Sequence, residues 1–279
     1  MKKYLLLSLS LCIFSAFANA QNADSVKVKH KKFVNNGRMY GSWGYNEEWY
    51  THSNINISQP GQQNNFTYEN IQAHNHIGWD HLFSVAPTIP QYNYRFGYFF
   101  DEEQNWAIEL NFDHTKYIVT QGYNAIIKGE FRGRAVDSMI NVNGNTLFWQ
   151  LNNGANWFLF NIVRRFNIVK TKDNKLVVYA LLKAGFGPCV PHVDNSIFTE
   201  QNHAHFQIGG VNTGVEALLR VTFFDHFYVE YCNKVDYADY WGLRIFDGTA
   251  GQAFGAYEMI LNFGLTCHKK KTAGTNTAR

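Results

Sequence analysis

Charge, long hydrophobic runs and cysteine are all scarce in this chain, and each scarcity excludes something. Charged residues make up 17% of the 279, with 25 Lys+Arg against 22 Asp+Glu. Removing Lys2 and Lys3 with the N-terminal leader described below lowers the basic count to 23. A chain so near neutrality gives no electrostatic case for a nucleic-acid partner. Beyond the leader no uninterrupted apolar run is long enough for a membrane helix, which needs about 20 residues. Cys12 falls in the leader and leaves Cys189, Cys232 and Cys267. An odd number cannot all pair within one chain and their spacing suggests no metal site, so free thiols are expected rather than a disulfide framework.

What the chain has in quantity is aromatic residues, at 16% nearly equal to its charge. Its N-terminus, MKKYLLLSLSLCIFSAFANA, reads as a cleavable export signal over residues 1–20. Lys2 and Lys3 form the charged region, Tyr4 to Phe17 the apolar run, and Ala18-Asn19-Ala20 the cleavage site. Residues 21–37 are polar and lysine-rich, a solvated periplasmic lead-in. A closed β-barrel in a membrane accounts for an exported chain with many aromatics and few charges, because alternation dilutes its lipid-facing residues.

That alternation is clearest from His205 to Tyr240. Val211, Thr213, Val215, Ala217, Leu219 and Val221 fall on one face, and Asn212, Gly214, Glu216, Leu218 and Arg220 on the other. After Phe224-Asp225-His226 the pattern repeats, with Phe227, Val229 and Tyr231 opposed to Tyr228, Glu230 and Cys232. A three-residue loop sets Arg220 opposite Glu230 and Glu216 opposite Lys234, as cross-strand pairing favours. Strong segments recur near 38–49, 91–100, 105–119, 153–166, 175–187, 205–223, 227–240 and 253–267. Eight is an even number, and short connections at 101–105, 168–174 and 224–226 alternate with long ones at 51–90, 120–152, 188–204 and 241–252. The expected fold is all-β, an antiparallel up-and-down transmembrane barrel over residues 38–267 with long extracellular loops. Weaker segments (54–57, 66–74, 123–132, 138–148) raise the count to ten or twelve if they too cross the membrane. The pair between 120 and 153 reads either as two such strands or as a hairpin standing above the membrane.

With the apolar face in lipid, the other face lines the lumen. It offers Glu48, Arg95, Glu109, Asp113, Lys183, Glu216, Arg220, Glu230, Lys234, Asp236 and Glu258. An eight-stranded barrel is just wide enough for side chains to fill it, so a packed, charge-paired lumen is expected rather than a channel. Acids outnumber bases there, so some carboxylates should be hydrogen-bonded, hydrated or protonated. Alternation aims His114 and Lys116 outward at the level of outer-leaflet headgroups. His192, Asp194 and Ser196 share one loop, but no nucleophile motif or oxyanion site accompanies them, and no catalytic residue is identified. His74 and His76, followed by His81, and His203 with His205 have strand-face spacing without an obvious third ligand. No metal and no cofactor are expected.

In RFGYFFDEEQNWAIELNFDHTKY, in VEALLRVTFFDHFYVEYCNKVDY, in the last strand YEMILNFGLTC and in its leader, the chain resembles the small single-chain outer-membrane β-barrel proteins of Gram-negative bacteria. It departs from them at its end. Such chains typically close on an aromatic residue, whereas here the basic tail 268–279, with Lys269, Lys270 and Lys271, follows. The resemblance implies residence in the outer membrane, contact with its lipid and lipopolysaccharide, and folding by the barrel-assembly machinery. It leaves the extracellular ligand open. The expected role is structural or surface interaction. The alternatives are a barrel enzyme modifying lipid A or phospholipid acyl chains, and a narrow channel.

Overall fold

The computed structural model describes residues 37–76, 90–151, 153–173, 175–202 and 205–268. The expected leader, nearly all of the lead-in and the tail, His81 and His203 lie outside them. In chain order the strands are β1 (Gly37–Tyr50), β2 (Ser53–Gln59), β3 (Asn64–Ile71), β4 (Ala73–His74), β5 (Tyr92–Phe99), β6 (Trp106–His114), β7 (Tyr117–Val119), β8 (Tyr123–Phe131) and β9 (Arg134–Val142). There follow β10 (Leu147–Leu151), β11 (Trp157–Lys170), β12 (Leu176–Pro188), β13 (Asp194–Ile197), β14 (Glu200–Asn202), β15 (Gly210–Phe223), β16 (Phe227–Ile245) and β17 (Gly248–His268).

Eight of these close a barrel in the order β1-β5-β6-β11-β12-β15-β16-β17, and β17 pairs back with β1 to remove the edge. Every pairing is antiparallel between sequence-consecutive barrel strands. The eight match the eight strong segments of the sequence. The hairpin read first has the register set by its three-residue turn, with Glu216 opposite Lys234 and Arg220 opposite Glu230.

The weaker segments do not widen the barrel. They form a cap on its long-loop end. Past the rim, β17 exchanges β1 for β2, and the sheet continues through β3, β8 and β9. A second sheet, β14-β13-β10-β7-β4, lies beside it. A shared apolar core built on Ile55, Tyr68, Ile127, Trp149 and Leu151, all 0–4% exposed, joins the cap together.

Two bulges mark the junction. Between Tyr50↔Ala256 and Asn54↔Ala253 the β1–β2 side carries one extra residue. Between Tyr240↔Gln252 and Leu243↔Ala250 β16 does the same at Trp241–Gly242. One extra residue reverses which parity points inward. Tyr240 is buried, and above the bulge Leu243 and Ile245 take over. The expected connection 241–252 is therefore mostly strand: β16 and β17 run on as one long hairpin that turns at residues 246–247.

Candidate functional site

Inward residues of the barrel stack in three layers. At the short-turn end the layer is apolar and aromatic, with Tyr40, Phe99, Leu181, Leu218, Tyr228 and Ile260 all buried. Two of its rings sit over glycines directly across the strand pairing: Tyr40 over Gly97 and Tyr228 over Gly264. A Cβ at either glycine would enter the ring, so these positions leave room for a large side chain in a narrow lumen.

The middle layer holds three cations and three acids. Arg95 meets Glu216 at 2.5 Å, Lys183 meets Glu109 at 2.9 Å and Glu216 at 3.4 Å, and Arg220 Nε donates to Glu230 at 2.6 Å. Tyr40 donates its hydroxyl to Glu109 at 2.8 Å, and Asn262 supports the other oxygen of Glu230 at 3.3 Å. The Arg220 guanidinium also lies over the rings of Tyr40 and Tyr228, at 4.5 and 4.1 Å. Every charge here is at most 4% exposed.

The upper layer is unbalanced. Lys234 is the cation among four carboxylates: Asp113 at 2.5 Å, Asp236 at 3.0 Å, Glu258 at 3.4 Å, and Glu48 beyond them. Glu48 is held by the side-chain amides of Asn46 and Gln91, and Asp113 by Asn111. The excess of acid noted in the sequence is thus concentrated at one level and met there by amide donors. Above it Trp157 donates to the Tyr240 hydroxyl at 2.6 Å, and Phe254 stacks on Tyr117 and Tyr240. That aromatic floor of the cap overlies the upper charges. Only the fold shows that these aromatics close over the lumen.

At the rim, His114 is half-buried on the outer face, stacked on Tyr92 at 4.6 Å and bonded through Nδ1 to Asn156. Lys116 is a correction. β6 ends at His114, so alternation no longer governs Lys116, which is only 7% exposed and lies within electrostatic reach of Glu48. It does not point outward at the level of His114.

The other candidates stay apart. Ser196 is buried on β13, Asp194 is exposed, and His192 packs on Phe206 and bonds Asn153, with no hydrogen bond among the three. His74 bonds the Asn75 carbonyl, and burial with Lys116 and His74 nearby pushes His76 below its ordinary range. Among the described residues no three His, Cys, Asp or Glu converge as a metal centre. Within the cap, burial raises the Tyr68 and Tyr117 hydroxyls above the usual phenol range, although Ser53 and Gln252 bond Tyr117. Both therefore act as neutral hydrogen-bonding groups.

Closed sheet, inverted polarity and folded cap define the chain as an eight-stranded up-and-down β-barrel with charges inside and apolar side chains outside. No protein-family model matches the sequence, and no curated protein matches it. Among solved structures it is similar to Ail, the attachment invasion locus protein of Yersinia pestis, at 12% identity over 82% of this chain and 99% of that one, with a TM-score of 0.32. The outer membrane protein OprG of Pseudomonas aeruginosa aligns at 10% identity over 84% and 98%, TM-score 0.39. The outer membrane protease OmpT of Escherichia coli aligns at 7% over 86% and 99%, TM-score 0.40.

Proposed function

We propose that this is an integral protein of a Gram-negative outer membrane, exported by its leader, whose packed barrel carries a folded cap at the cell surface for interaction there. The observation that carries the reading is the inversion of polarity. Phe96, Ile108, Phe160, Phe186, Val215 and Leu265 stand 54–72% exposed around the barrel while twelve charged side chains of its strands, Arg165 among them, are buried within it. A water-exposed apolar belt of this extent is foreign to a soluble monomer. β5 and β6, at 8 and 9 residues, have about the length of a membrane-crossing strand, roughly 9–11 residues. Short turns then face the periplasm and the cap faces outward.

In that setting lipid and lipopolysaccharide surround the belt, the barrel-assembly machinery inserts the chain, and His114 beside Tyr92 lies at headgroup level. The buried ion pairs act as a structural core, since apolar layers cover them on both sides. Cell fractionation tests the reading. The mature chain should be recovered with the outer membrane, shift in gel mobility on heating, and react through its cap with a membrane-impermeant amine reagent on intact cells. Recovery in the soluble periplasm without a heat-dependent shift refutes it. Planar bilayers should show no steady conductance, and lipid A from cells with and without the protein should carry the same acyl chains.

A further inference from the structure

The cap has an outer face that none of the above uses. Its strands lie in the order β16, β17, β2, β3, β8 and β9, and their registers align the exposed residues in rows. One row runs Trp241, Gly251, Asn56, Thr67, Lys128. The next runs Arg244, Thr249, Ser58, Asn65, Glu130. The second ends in a pocket of about 430 Å³ between the two hairpin tips, lined by Ser58, Gln63, Asn64, Asn65, Glu130 and others.

The donors on this face are already oriented. Thr67 donates to Asn56 Oδ1 at 2.8 Å, and the Asn70 backbone donates to Asn54 Oδ1 at 3.0 Å. Each amide carbonyl is thereby occupied and each Nδ2 is left toward solvent. The φ values of +52° at Arg132 and +72° at Gly133 make the type I′ turn that holds Glu130 beside Asn65 at the pocket. On the far side Trp241, 52% exposed, stands at the β16 bulge opposite the Gly251 stretch of β17. Adjacent strands lie about 4.8 Å apart, so Trp241 and Asn56 are roughly 10 Å apart across β17.

We infer that this face, from Trp241 to the pocket at the hairpin tips, binds a neutral, hydroxyl-rich saccharide chain. An indole offers its face to the C–H side of a sugar ring, while amides and a carboxylate take up hydroxyls. Glu130 in the pocket repels sulfated or phosphorylated ligands and accepts from paired hydroxyls. Lys128 is met by Asp137 at 3.7 Å.

The inference rests on the surface location proposed above, and its test is separable from it. The full chain, folded in an amine-oxide detergent without sugar headgroups, is titrated calorimetrically with neutral oligosaccharides of glucose, galactose, mannose and N-acetylglucosamine. A heparin oligosaccharide serves as the acidic arm. At least one neutral oligosaccharide should bind saturably. Trp241→Ala and Asn56→Ala should each weaken it by about tenfold or more, equivalent to about 1.4 kcal/mol. Glu130→Gln should weaken it too, while leaving heparin binding no weaker. The inference is overturned if no neutral oligosaccharide binds, if only heparin binds, or if the three variants bind like wild type. Heat-dependent gel mobility of the same samples reports the barrel independently, so a binding failure leaves the membrane assignment to its own test.

Discussion

The pair Arg220–Glu230 offers the sharpest test of the lumen, because the two side chains are joined at 2.6 Å, at most 2% exposed and directly opposed on β15 and β16. Glu230→Ala leaves a guanidinium buried without its acceptor, and breaking a buried pair from one side costs about 3–5 kcal/mol. Arg220→Ala leaves Glu230 with Asn262, and with Lys183 and Arg95 in electrostatic range. It also removes the cation held between Tyr40 and Tyr228, each such contact being worth about 2 kcal/mol when desolvated. Both single variants should therefore be strongly destabilised for different reasons. The double alanine variant should lose much less than the sum. The charge swap Arg220→Glu with Glu230→Arg restores the ion pair but sets a carboxylate against two electron-rich rings, so it should recover only part of the loss. The assay is urea-dependent folding into lipid vesicles, read by tryptophan fluorescence and heat-dependent gel mobility, with the four proteins forming a double-mutant cycle. A coupling below about 0.5 kcal/mol, the scatter of independent sites, would refute the claim that this pair acts as a unit.

Three further perturbations separate the layers. Gly97→Val and Gly264→Val drive a side chain into the rings of Tyr40 and Tyr228 and should cost about 1–3 kcal/mol each or prevent folding, whereas Gly41→Ala, which meets only ordinary contacts, should fold normally in the same vesicle assay. Lys234→Gln removes the cation touching Asp113, Asp236 and Glu258 and should lower stability by about 3–5 kcal/mol, more than the exposed Lys128→Gln, which should change it by less than about 1 kcal/mol. Trp149→Ala, at a fully buried cap residue bonded to Gln252, should cost the cap about 3–5 kcal/mol. It should make residues 50–76 and 115–151 protease-sensitive on cells while the heat-dependent gel shift persists. Simultaneous loss of that shift would mean that cap and barrel fold as one unit.

The barrel was legible because alternation runs unbroken through the middle of its strands, where the charges lie, and the register shifts fall outside that stretch. Glu216, Arg220, Glu230 and Lys234 share a parity that a three-residue turn carries from β15 to β16, so even their register follows from counting. What alternation could not supply was the partner in space. Glu216 and Lys234 are opposed in register, yet Glu216 meets Arg95 and Lys183 while Lys234 meets Asp113, because the lumen brings distant strands within side-chain reach. The cap was hidden for a different reason. In β2, Asn54, Ile55, Asn56 and Ile57 alternate as clearly as any barrel strand, but there the apolar parity points inward and the polar parity meets water. A pattern reader who assigns apolar residues to lipid gives such a strand the wrong side, and one who expects long apolar strands passes over it. On β16 and from β1 to β2 the bulges shift which parity points inward, and a single extra residue beside Tyr50 or at Trp241–Gly242 leaves no compositional mark, while β17 keeps its even residues inward and changes only their chemistry. Lys116 was misplaced by the same fault, since parity was extended two residues beyond the end of β6.

The reversal also bears on how a surface site could be held. A loop cap would place its ligand-binding residues on segments that move independently of the barrel, and ordering them on binding costs affinity. Here β16 and β17 run without a break from the short-turn end to the outer tip, and β2, β3, β8 and β9 are added to β17 by hydrogen-bonded pairing. Asn56, Thr67 and Glu130 are thus strand residues on the same sheet that closes the barrel, with their backbone geometry fixed from below. The two bulges allow this. Without its bulge β16 would turn Leu243 and Ile245 to water, whereas β17 has none and keeps its even residues inward, changing from Glu258 and Asn262 in the barrel to Phe254 and Ala250 above it. With the bulges, one continuous sheet has its apolar side outward around the barrel and inward above it. Deleting one residue at Trp241–Gly242 should therefore disrupt the cap core at Leu243 and Ile245 while leaving the Arg220–Glu230 register intact, a difference that cap proteolysis and heat-dependent mobility would read separately.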